Sequence, residues 1–299
     1  MNLPPGSALP WLPLLLGAAA GCMAGITGCG RNTPQRSRGP EGVLHGAEAV
    51  HIDRGRFRGC LLLHGFASSP ADFRGVYRAL DDAGWDVHAP RLPGHGTSPD
   101  ELAQVSAPQM REGARRHYRK LRRRYDTVAL VGFSMGGLLA TGLAASEPPD
   151  ALALVSPFYA VTYRWYYVLP AEWWFSIPPP VLDAVPSQKN VNRPAGKDNI
   201  VGYHWYPMPA LDMLFTLKRD ILRETRGRTL SCPVLLVYSA GDGTASPEAM
   251  QNVLGRLTGG DYRATRFERS NHYILHDYDR RAARRAIVDF LERQERAGG

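Results

Sequence analysis

The sequence predicts an α/β fold in which a mostly parallel central sheet is flanked by helices. Short apolar runs alternate with amphipathic stretches along most of the chain, which is typical of strand–helix–strand units. Several of these runs are apolar at nearly every residue, as strands buried on both faces are. The chain has 299 residues, enough for one large domain with a sizeable core.

The individual elements follow from the same patterns. The apolar run 60–63 precedes a stretch in which Phe73, Val76 and Leu80 recur at helical spacing. We therefore expect a strand and then a helix, an order that repeats toward the C-terminus. The predicted strands are 60–63, 85–89, 127–131, 151–155, 234–238 and 265–267. The predicted helices are 70–83, 111–124, 135–145 and 280–293.

A long segment of different composition interrupts this alternation. Roughly 75 residues separate the predicted strands 151–155 and 234–238; they are rich in Trp and Tyr and include three consecutive prolines at 178–180. Such a gap is too long for a simple crossover. We therefore expect an inserted, aromatic-rich cap at about 157–229, within a domain that extends over 51–299.

The chain is basic, with 36 Lys and Arg against 28 Asp and Glu and a formal net charge of +8. This balance raises nucleic acid and anionic membranes as partners. The arginines concentrate on the polar faces of the predicted helices 111–124 and 280–293. A solvated helix face explains them, and contact with anionic lipid headgroups is the alternative. Because the sequence has no nucleic-acid reader motif, we expect no nucleic-acid partner.

The N-terminal segment predicts export. It carries no charged side chain before Arg31, and its apolar part is followed by small residues, as in signal peptides. Ile26-Thr27-Gly28-Cys29 resembles the lipobox of bacterial lipoproteins. We therefore predict a signal peptide at 1–28, lipid attachment at Cys29 and a tether at 29–50. The protein would then be anchored to a membrane of the bacterial cell envelope, on the periplasmic or outer side.

Three alternatives to the lipoprotein signal remain open. A plain cleaved signal would have the same apolar and small-residue regions. An uncleaved membrane helix has similar hydropathy, because about 20 apolar residues suffice to span a bilayer. A mis-assigned start is the third, since only the terminal amine supplies the positive charge that signals carry at their beginning.

A five-residue motif marks a candidate nucleophile. Gly132-Phe133-Ser134-Met135-Gly136 fits the pattern G-x-S-x-G. It follows a predicted strand of branched residues and opens a predicted helix, the context that a nucleophile elbow requires. Small residues must flank the serine in so sharp a turn, because strand and helix nearly touch there. Ser134 is therefore the predicted nucleophile.

A serine nucleophile needs a base and an acid that orients it, in the chain order Ser, Asp or Glu, His for this arrangement. Of the histidines after Ser134, His204 lies in the predicted cap. His276 is close to the final helix, where we expect a surface or supporting histidine beside Asp277. His272 follows the last predicted strand, where a loop can project its imidazole over the serine. His272 is therefore the predicted base.

The acid should lie at the end of a strand on the same edge of the sheet. Asp242 follows the predicted strand 234–238, whereas 151–155 ends in Ser156-Pro157 without a carboxylate. Asp261 precedes the last predicted strand and is expected in a turn. Asp242 is therefore the predicted acid.

The oxyanion of a tetrahedral intermediate must be met by preorganised N–H donors. One predicted donor is the amide of Met135, directly after the nucleophile and at a helix N-terminus. The other is the amide of Phe66, in the loop after the first buried strand, where Gly65 lets the backbone approach. We expect His64 to be structural, because the chain order already assigns the base.

Taken together, these segments resemble the α/β-hydrolase family, and closely its carboxylesterase and monoacylglycerol-lipase-like branch. The similarity extends over about 57–293. Its motifs are Leu62-Leu63-His64-Gly65-Phe66, Arg91-Leu92-Pro93-Gly94-His95-Gly96, the G-x-S-x-G pentapeptide, Asp242 and Ser270-Asn271-His272. The resemblance implies an α/β-hydrolase fold and a serine esterase with Ser134 as nucleophile, His272 as base and Asp242 as acid, needing no metal or cofactor.

Two departures from the family bear on this expectation. The Asp242 loop continues as Gly243-Thr244-Ala245-Ser246-Pro247, where many relatives have an apolar valine pair, which puts the packing of this loop in doubt. The predicted cap is also richer in Trp and Tyr, so substrate preference cannot be copied from relatives. We expect a small lipophilic ester as substrate, with the aromatic cap forming its acyl pocket. The alternatives are an acyltransferase, thioesterase or peptidase with the same triad, or a catalytically silent binding protein.

The chain has four cysteines, too few for a disulfide scaffold or a multi-zinc protein. Cys22 would leave with the predicted signal and Cys29 would carry the lipid. Cys60 and Cys232 each start a predicted strand, and the sheet order implied by the resemblance places those strands apart. We therefore expect two free buried thiols.

Overall fold

The central sheet follows the predicted order of strands. The computed structural model describes residues 37–39, 41–162, 184–187 and 189–297, and its elements lie in the compact unit Arg38–Gly299. The strands are β1 (Val50–Ile52), β2 (Arg58–Leu63), β3 (Asp86–Ala89), β4 (Thr127–Phe133), β5 (Ala151–Val155), β6 (Ala184–Pro186), β7 (Trp205–Pro207), β8 (Val234–Ser239) and β9 (Arg263–Phe267). Seven form one sheet in the order β1-β3-β2-β4-β5-β8-β9. β1 is antiparallel to β3 and the other neighbours are parallel.

Helices cover both faces of this sheet. They are α1 (Val76–Asp82), α2 (Pro99–Ala103), α3 (Ala107–Arg122), α4 (Met135–Ser146), α5 (Met208–Glu224), α6 (Pro247–Thr258) and α7 (Arg280–Ala297). Alternate residues of β2 face opposite sides. Leu61 and Leu63 pack in the apolar cluster that includes α3, α4 and α5, whereas Cys60 and Leu62 pack with α1 and α7. The predicted fold class, a mostly parallel sheet between layers of helices, is confirmed.

The predicted helix 70–83 is wrong in one respect, because the chain is interrupted within it. Pro70–Phe73 forms a 3-10 turn and α1 begins only at Val76. Gly75 between them has φ 79°, a left-handed conformation that ends one element before the next begins. The other predicted elements agree with the structure apart from shifts of a few residues at their ends.

The segment between β5 and β8 is described in part. β6 and β7 form a two-stranded antiparallel ribbon, Pro194–Asn199 a 3-10 helix, and α5 packs on the core through Leu217 and Ile221. Most of the aromatic stretch and the prolines 178–180 lie outside the described residues, as do the predicted signal, Cys29 and the first part of the tether. Within the described ranges, no helix is both long and apolar enough to cross a membrane. The inserted cap stays a prediction.

The arginine-rich face of α3 is largely paired within the chain. Its guanidinium groups meet carboxylates from the ends of α4, α5 and the turn before β5. The pairs are Arg111–Glu224, Arg115–Glu147, Arg119–Glu147 and Arg122–Asp150. Exposed pairs of this kind contribute little to stability individually. They nevertheless place much of the positive charge of this helix against acidic partners in the fold.

Candidate active site

The turn between β4 and α4 carries Ser134. Its backbone has φ 53° and ψ −116°, a strained conformation of the kind found at nucleophile elbows. The flanking glycines are required, because a Cβ at Gly136 would overlap the carbonyl oxygen of Leu63 and one at Gly132 would overlap Gly136. The sharp turn therefore projects a serine that is 7% exposed.

Ser134, His272 and Asp242 are hydrogen bonded in series. His272 Nε2 lies 2.9 Å from Ser134 Oγ, and His272 Nδ1 lies 2.8 Å from Asp242 Oδ2. With Nδ1 donating to the carboxylate, Nε2 is the acceptor for the serine hydroxyl, which is the tautomer that a general base needs. All three side chains are buried. The structure thus brings together a serine and a histidine 138 residues apart in the chain.

The other carboxylate oxygen of Asp242 is held by its own loop. Oδ1 accepts hydrogen bonds from the amides of Thr244 at 2.8 Å and Ala245 at 2.9 Å, which leaves Oδ2 for the imidazole. The Thr162 hydroxyl donates to the Asp242 carbonyl at 2.9 Å, and Asn190 Nδ2 donates to Thr244 Oγ1 at 2.7 Å. Polar contacts therefore fix the loop that departs from the family pattern.

The loop that carries His272 is fixed by Asn271 and Asp277. Asn271 Oδ1 accepts the amides of Gly243 and His272, each at 2.9 Å. Asp277 is fully buried and its carboxylate accepts four backbone amides. Those amides belong to Asn192, Arg193, Asn271 and Tyr278. Sequence analysis missed both positioning contacts, because polar loop residues give no periodic signal.

The two predicted oxyanion donors come from different elements. Met135 is the first residue of α4, so its amide is among the unpaired donors of a helix N-terminus. Phe66 lies in the loop after β2, which the close approach of Gly136 to Leu63 brings to the start of α4. The use of these amides by a substrate stays a prediction.

Asp72 is a buried carboxylate beside this loop that sequence analysis did not identify. Its side chain accepts the Gly65 amide at Oδ2, 2.9 Å away, and the Ser68 hydroxyl at Oδ1, 2.6 Å away. Burial raises the pKa of Asp72 to about 7. A single carboxylate beside apolar Ala71 and Phe73 was a signal that could have indicated it.

Comparison with known proteins agrees with this geometry. A family model described as serine aminopeptidase, S33 (Hydrolase_4) matches residues 57–279, most of the chain. The chain belongs to this family. The predicted resemblance to serine hydrolases of the α/β-hydrolase type is confirmed.

Two relatives of this S33 hydrolase are similar over nearly their whole length. A thermostable monoacylglycerol lipase of Bacillus sp. (strain H-257) is 28% identical over 245 residues, which cover 79% of this chain and 91% of the relative. A carboxylesterase of Bacillus subtilis (strain 168) is 23% identical over 250 residues, which cover 80% and 94%. The similarity therefore extends over more than nine-tenths of both relatives.

Solved structures show the same fold. A structure reported with two metagenome-derived lipolytic enzymes, LipS and LipT, has a TM-score of 0.73 at 24% identity and covers 84% of this chain and 99% of its own. The monoacylglycerol lipase of Paleococcus ferrophilus has a TM-score of 0.67 at 18% identity, covering 82% and 98%. At these identities the likeness concerns the fold.

Three other histidines of the S33 hydrolase differ in environment. His64 is buried and accepts the Leu92 amide at Nε2, 3.0 Å away, as expected of a structural histidine. Burial lowers the pKa of His64 well below its ordinary value. His204 is exposed. Of the two settings expected for His276, surface or supporting, the surface one is wrong. His276 ends a buried 3-10 turn before α7, and burial lowers its pKa to about 4.

The two cysteines of the described domain are free thiols. Cys60 is buried in β2, and burial raises its pKa; Cys232 is half-buried before β8, and burial raises its pKa to about 11. Their strands are separated in the sheet by β4 and β5. Among the described residues, no three His, Cys, Asp or Glu side chains are grouped so that they could hold a metal ion.

Proposed function

We propose that this S33 hydrolase cleaves acyl esters through an acyl-enzyme on Ser134. The observation that carries the proposal is the series Asp242–His272–Ser134, with hydrogen-bond distances of 2.8 and 2.9 Å. The names of the two Bacillus relatives, a monoacylglycerol lipase and a carboxylesterase, support ester bonds as the substrate. Ester hydrolysis by a serine enzyme is also the activity that the sequence predicts.

In the acylation step, Ser134 Oγ attacks the ester carbonyl carbon. His272 Nε2 takes the hydroxyl proton, and Asp242 stabilises the imidazolium that results. The carbonyl π electrons move to its oxygen, which accepts hydrogen bonds from the amides of Phe66 and Met135. When the carbonyl re-forms, the bond to the leaving alcohol breaks, and the alcohol takes the proton from His272. The acyl group is then bound to Ser134 Oγ.

In the deacylation step, water takes the place of the alcohol. His272 accepts a proton from the water while the water oxygen attacks the acyl carbon. The same two amides receive the oxyanion, and collapse returns the proton to Ser134 Oγ as the acid leaves. His272 acts as a neutral base at the start of both steps.

Aromatic side chains beside the site support a lipophilic acyl group. The Phe66 ring contacts Tyr206 of β7 at a centroid distance of 5.3 Å. Phe158, whose amide donates to the Ser134 carbonyl at 3.0 Å, contacts Phe215 of α5 at 6.0 Å. Phe66 of the oxyanion loop and Phe158 beside Ser134 thus each pack against an aromatic ring of the segment between β5 and β8, which supports an apolar acyl pocket.

The proposal is tested with p-nitrophenyl esters of graded chain length. We expect turnover by the purified protein, none by Ser134→Ala, and labelling of Ser134 by a fluorophosphonate. Chain-length preference reports the size of the acyl pocket. Absence of serine-dependent turnover over the whole ester series would overturn the esterase proposal.

A peptidase is the second candidate, because the matching family model is described as a serine aminopeptidase. The same nucleophile and base would attack an amide, with an amine as leaving group. Aminoacyl p-nitroanilides distinguish the two candidates. Serine-dependent release of p-nitroaniline at a kcat/KM above that for every ester would favour the peptidase.

We propose further that the protein is exported and lipid-anchored through Cys29. The support is the uncharged leader and the segment Ile26-Thr27-Gly28-Cys29. Several acyl chains on one cysteine suffice for stable anchoring, whereas a single chain binds only marginally. Membrane fractionation of cells that produce Cys29→Ala is the test. An unchanged membrane fraction would contradict the lipid anchor.

A further inference from the structure

We propose that Asp72 is a positioning residue that, as a buried anion, fixes the Phe66 amide as an oxyanion donor. The inference rests on the proposed function, because it concerns the loop that would receive the oxyanion. Asp72 is 1% exposed. It makes no hydrogen bond to Ser134 or His272, so it lies outside the hydrogen-bonded series.

The backbone amides on either side of Phe66 are both hydrogen bonded to buried side chains. The Gly65 amide donates to Asp72 Oδ2 at 2.9 Å, and the Ala67 amide donates to His95 Nε2 at 3.0 Å. The Phe66 amide between them has no acceptor among the described residues. Two buried side chains therefore hold the amides on either side of Phe66 and leave the Phe66 amide available to a ligand.

The loop that contains Phe66 is strained and needs such support. Ala67 has φ 50°, a left-handed conformation that is rare for a residue with a Cβ. The surrounding structure must over-determine a conformation of this kind for it to persist. His95 accepts the Ala67 amide, and the Ala67 carbonyl accepts the Tyr203 amide at 2.9 Å. Asp72 holds the other end of the same turn.

The negative charge of Asp72 strengthens its hold on the loop. Two acceptor oxygens meet two donors, the Gly65 amide and the Ser68 hydroxyl at 2.6 Å. Hydrogen bonds to an ionised carboxylate are stronger than neutral ones, so the anion holds Gly65 more tightly than a neutral acceptor would. Burial disfavours the charge and raises the pKa of Asp72 to about 7, although the hydrogen bonds from Ser68 and Gly65 oppose this rise. Protonation of Asp72 near neutral pH would therefore weaken its hold on the Gly65 amide.

Several other titratable or charged groups face this region, and the experiment must separate them from Asp72. They are His272 and Tyr273 of the base loop, His276, Lys189, Tyr77 of α1 and Arg74. Asp72→Asn removes the charge and replaces one acceptor oxygen by an NH2 donor. Its amide oxygen can still accept from Gly65, and its NH2 group can donate to Ser68 Oγ. The ratio of kcat/KM between wild type and Asp72→Asn cancels titrations that the two proteins share.

The experiment compares Asp72→Asn and Asp72→Ala with wild type, and uses Asp86→Asn as the matched control. Asp86 is an equally buried carboxylate that accepts the amides of Arg54 and Arg56, in β3 and away from the serine. We expect kcat/KM at pH 8.5 to fall about tenfold in Asp72→Asn and about 100-fold in Asp72→Ala, since loss of a whole oxyanion donor costs about 10²–10³. We expect Asp86→Asn to stay within about twofold of wild type.

Two readouts separate positioning from a general structural effect. The ratio of wild-type to Asp72→Asn kcat/KM should approach one as pH falls through about 7, where Asp72 itself becomes neutral. A trifluoromethyl ketone, which forms an oxyanion on Ser134, should lose affinity in Asp72→Asn by the same factor as kcat/KM. The matched methyl ketone should bind all variants alike. A pH-independent ratio, or unchanged affinity for the trifluoromethyl ketone, would overturn the inference.

The rate at which a fluorophosphonate labels Ser134 tests this inference separately from the proposed function. The phosphoryl oxygen of the reagent needs the same two amide donors, but the labelling reaction needs no ester. Wild type that is labelled without cleaving esters would contradict only the esterase proposal. In that case slower labelling of Asp72→Asn supports the inference and equal labelling overturns it. Absence of labelling in wild type would overturn both.

Discussion

The side-chain oxygen of Asn271 accepts the amide of Gly243, 28 residues earlier in the chain, at 2.9 Å. The same oxygen accepts the amide of His272 at 2.9 Å. Gly243 directly follows Asp242. The Asn271 side chain therefore bridges the loop of the proposed acid and the loop of the proposed base.

We predict that Asn271→Ala lowers kcat about 10- to 100-fold with little change in KM, because a displacement of about 1 Å in a catalytic group can cost about 10²-fold. Steady-state kinetics on the best p-nitrophenyl ester measures the effect. Asn199→Ala is the control, since that side chain donates to the Ala195 carbonyl of an exposed 3-10 helix. Equal kcat values for the two variants would show that the bridge between the loops is dispensable.

Asp242→Asn should keep the fold and lose the activity. An asparagine oxygen can still accept from the amides of Thr244 and Ala245, so the loop has no reason to move. Its amide group would then face His272 Nδ1 as a donor and impose the wrong tautomer. We expect kcat to fall by about 10⁴, the effect of the equivalent change in another serine hydrolase. Kinetics combined with a thermal melt tests this, and a kcat within tenfold of wild type would contradict the role of Asp242 as acid.

The parts of the fold that were predictable are those in which a residue's neighbours along the chain decide its structure. The buried runs of β2, β4, β5 and β8 are apolar at nearly every position, so their strand state follows from local sequence. β1 was missed because Val50–Ile52 is only three residues long and its pairing with β3 is a long-range contact. The break at Gly75 was missed because the apolar spacing continues across it.

The same distinction holds for the candidate site. Ser134 has a local motif, and Asp242 and His272 follow from chain order and strand ends. Asp72 and Asn271 have no such pattern, because their importance depends on amides that only the folded chain brings near them. Sequence reasoning therefore finds groups that can react more readily than groups that hold them in place.

Two glycines in helices on the same face of the sheet should respond oppositely to alanine. A Cβ at Gly136 would overlap the Leu63 carbonyl of β2, so Gly136→Ala should destabilise the protein by at least about 3 kcal/mol. Gly255 lies inside α6 with nothing within 4 Å of a Cβ, and Gly255→Ala should stabilise it by about 0.4–1 kcal/mol. Urea unfolding of both variants gives the two free energies. Similar values for both would mean that strand and helix are not in contact at the turn.

Asp72→Asn should be at least as stable as wild type at alkaline pH even though we expect it to be less active. The folded-state pKa of Asp72 is raised by burial to about 7, above the value of about 3.9 in an unfolded chain. The contribution of Asp72 to the free energy of unfolding of the wild type is therefore most favourable below about pH 4 and declines as pH rises to about 7. Three pKa units correspond to about 4 kcal/mol, an upper limit for the relative gain of Asp72→Asn between pH 4 and 8. Urea unfolding at pH 4.5, 6, 7 and 8 measures the difference from wild type. A stability difference that does not grow with pH would mean that the surroundings of Asp72 do not disfavour its ionised form.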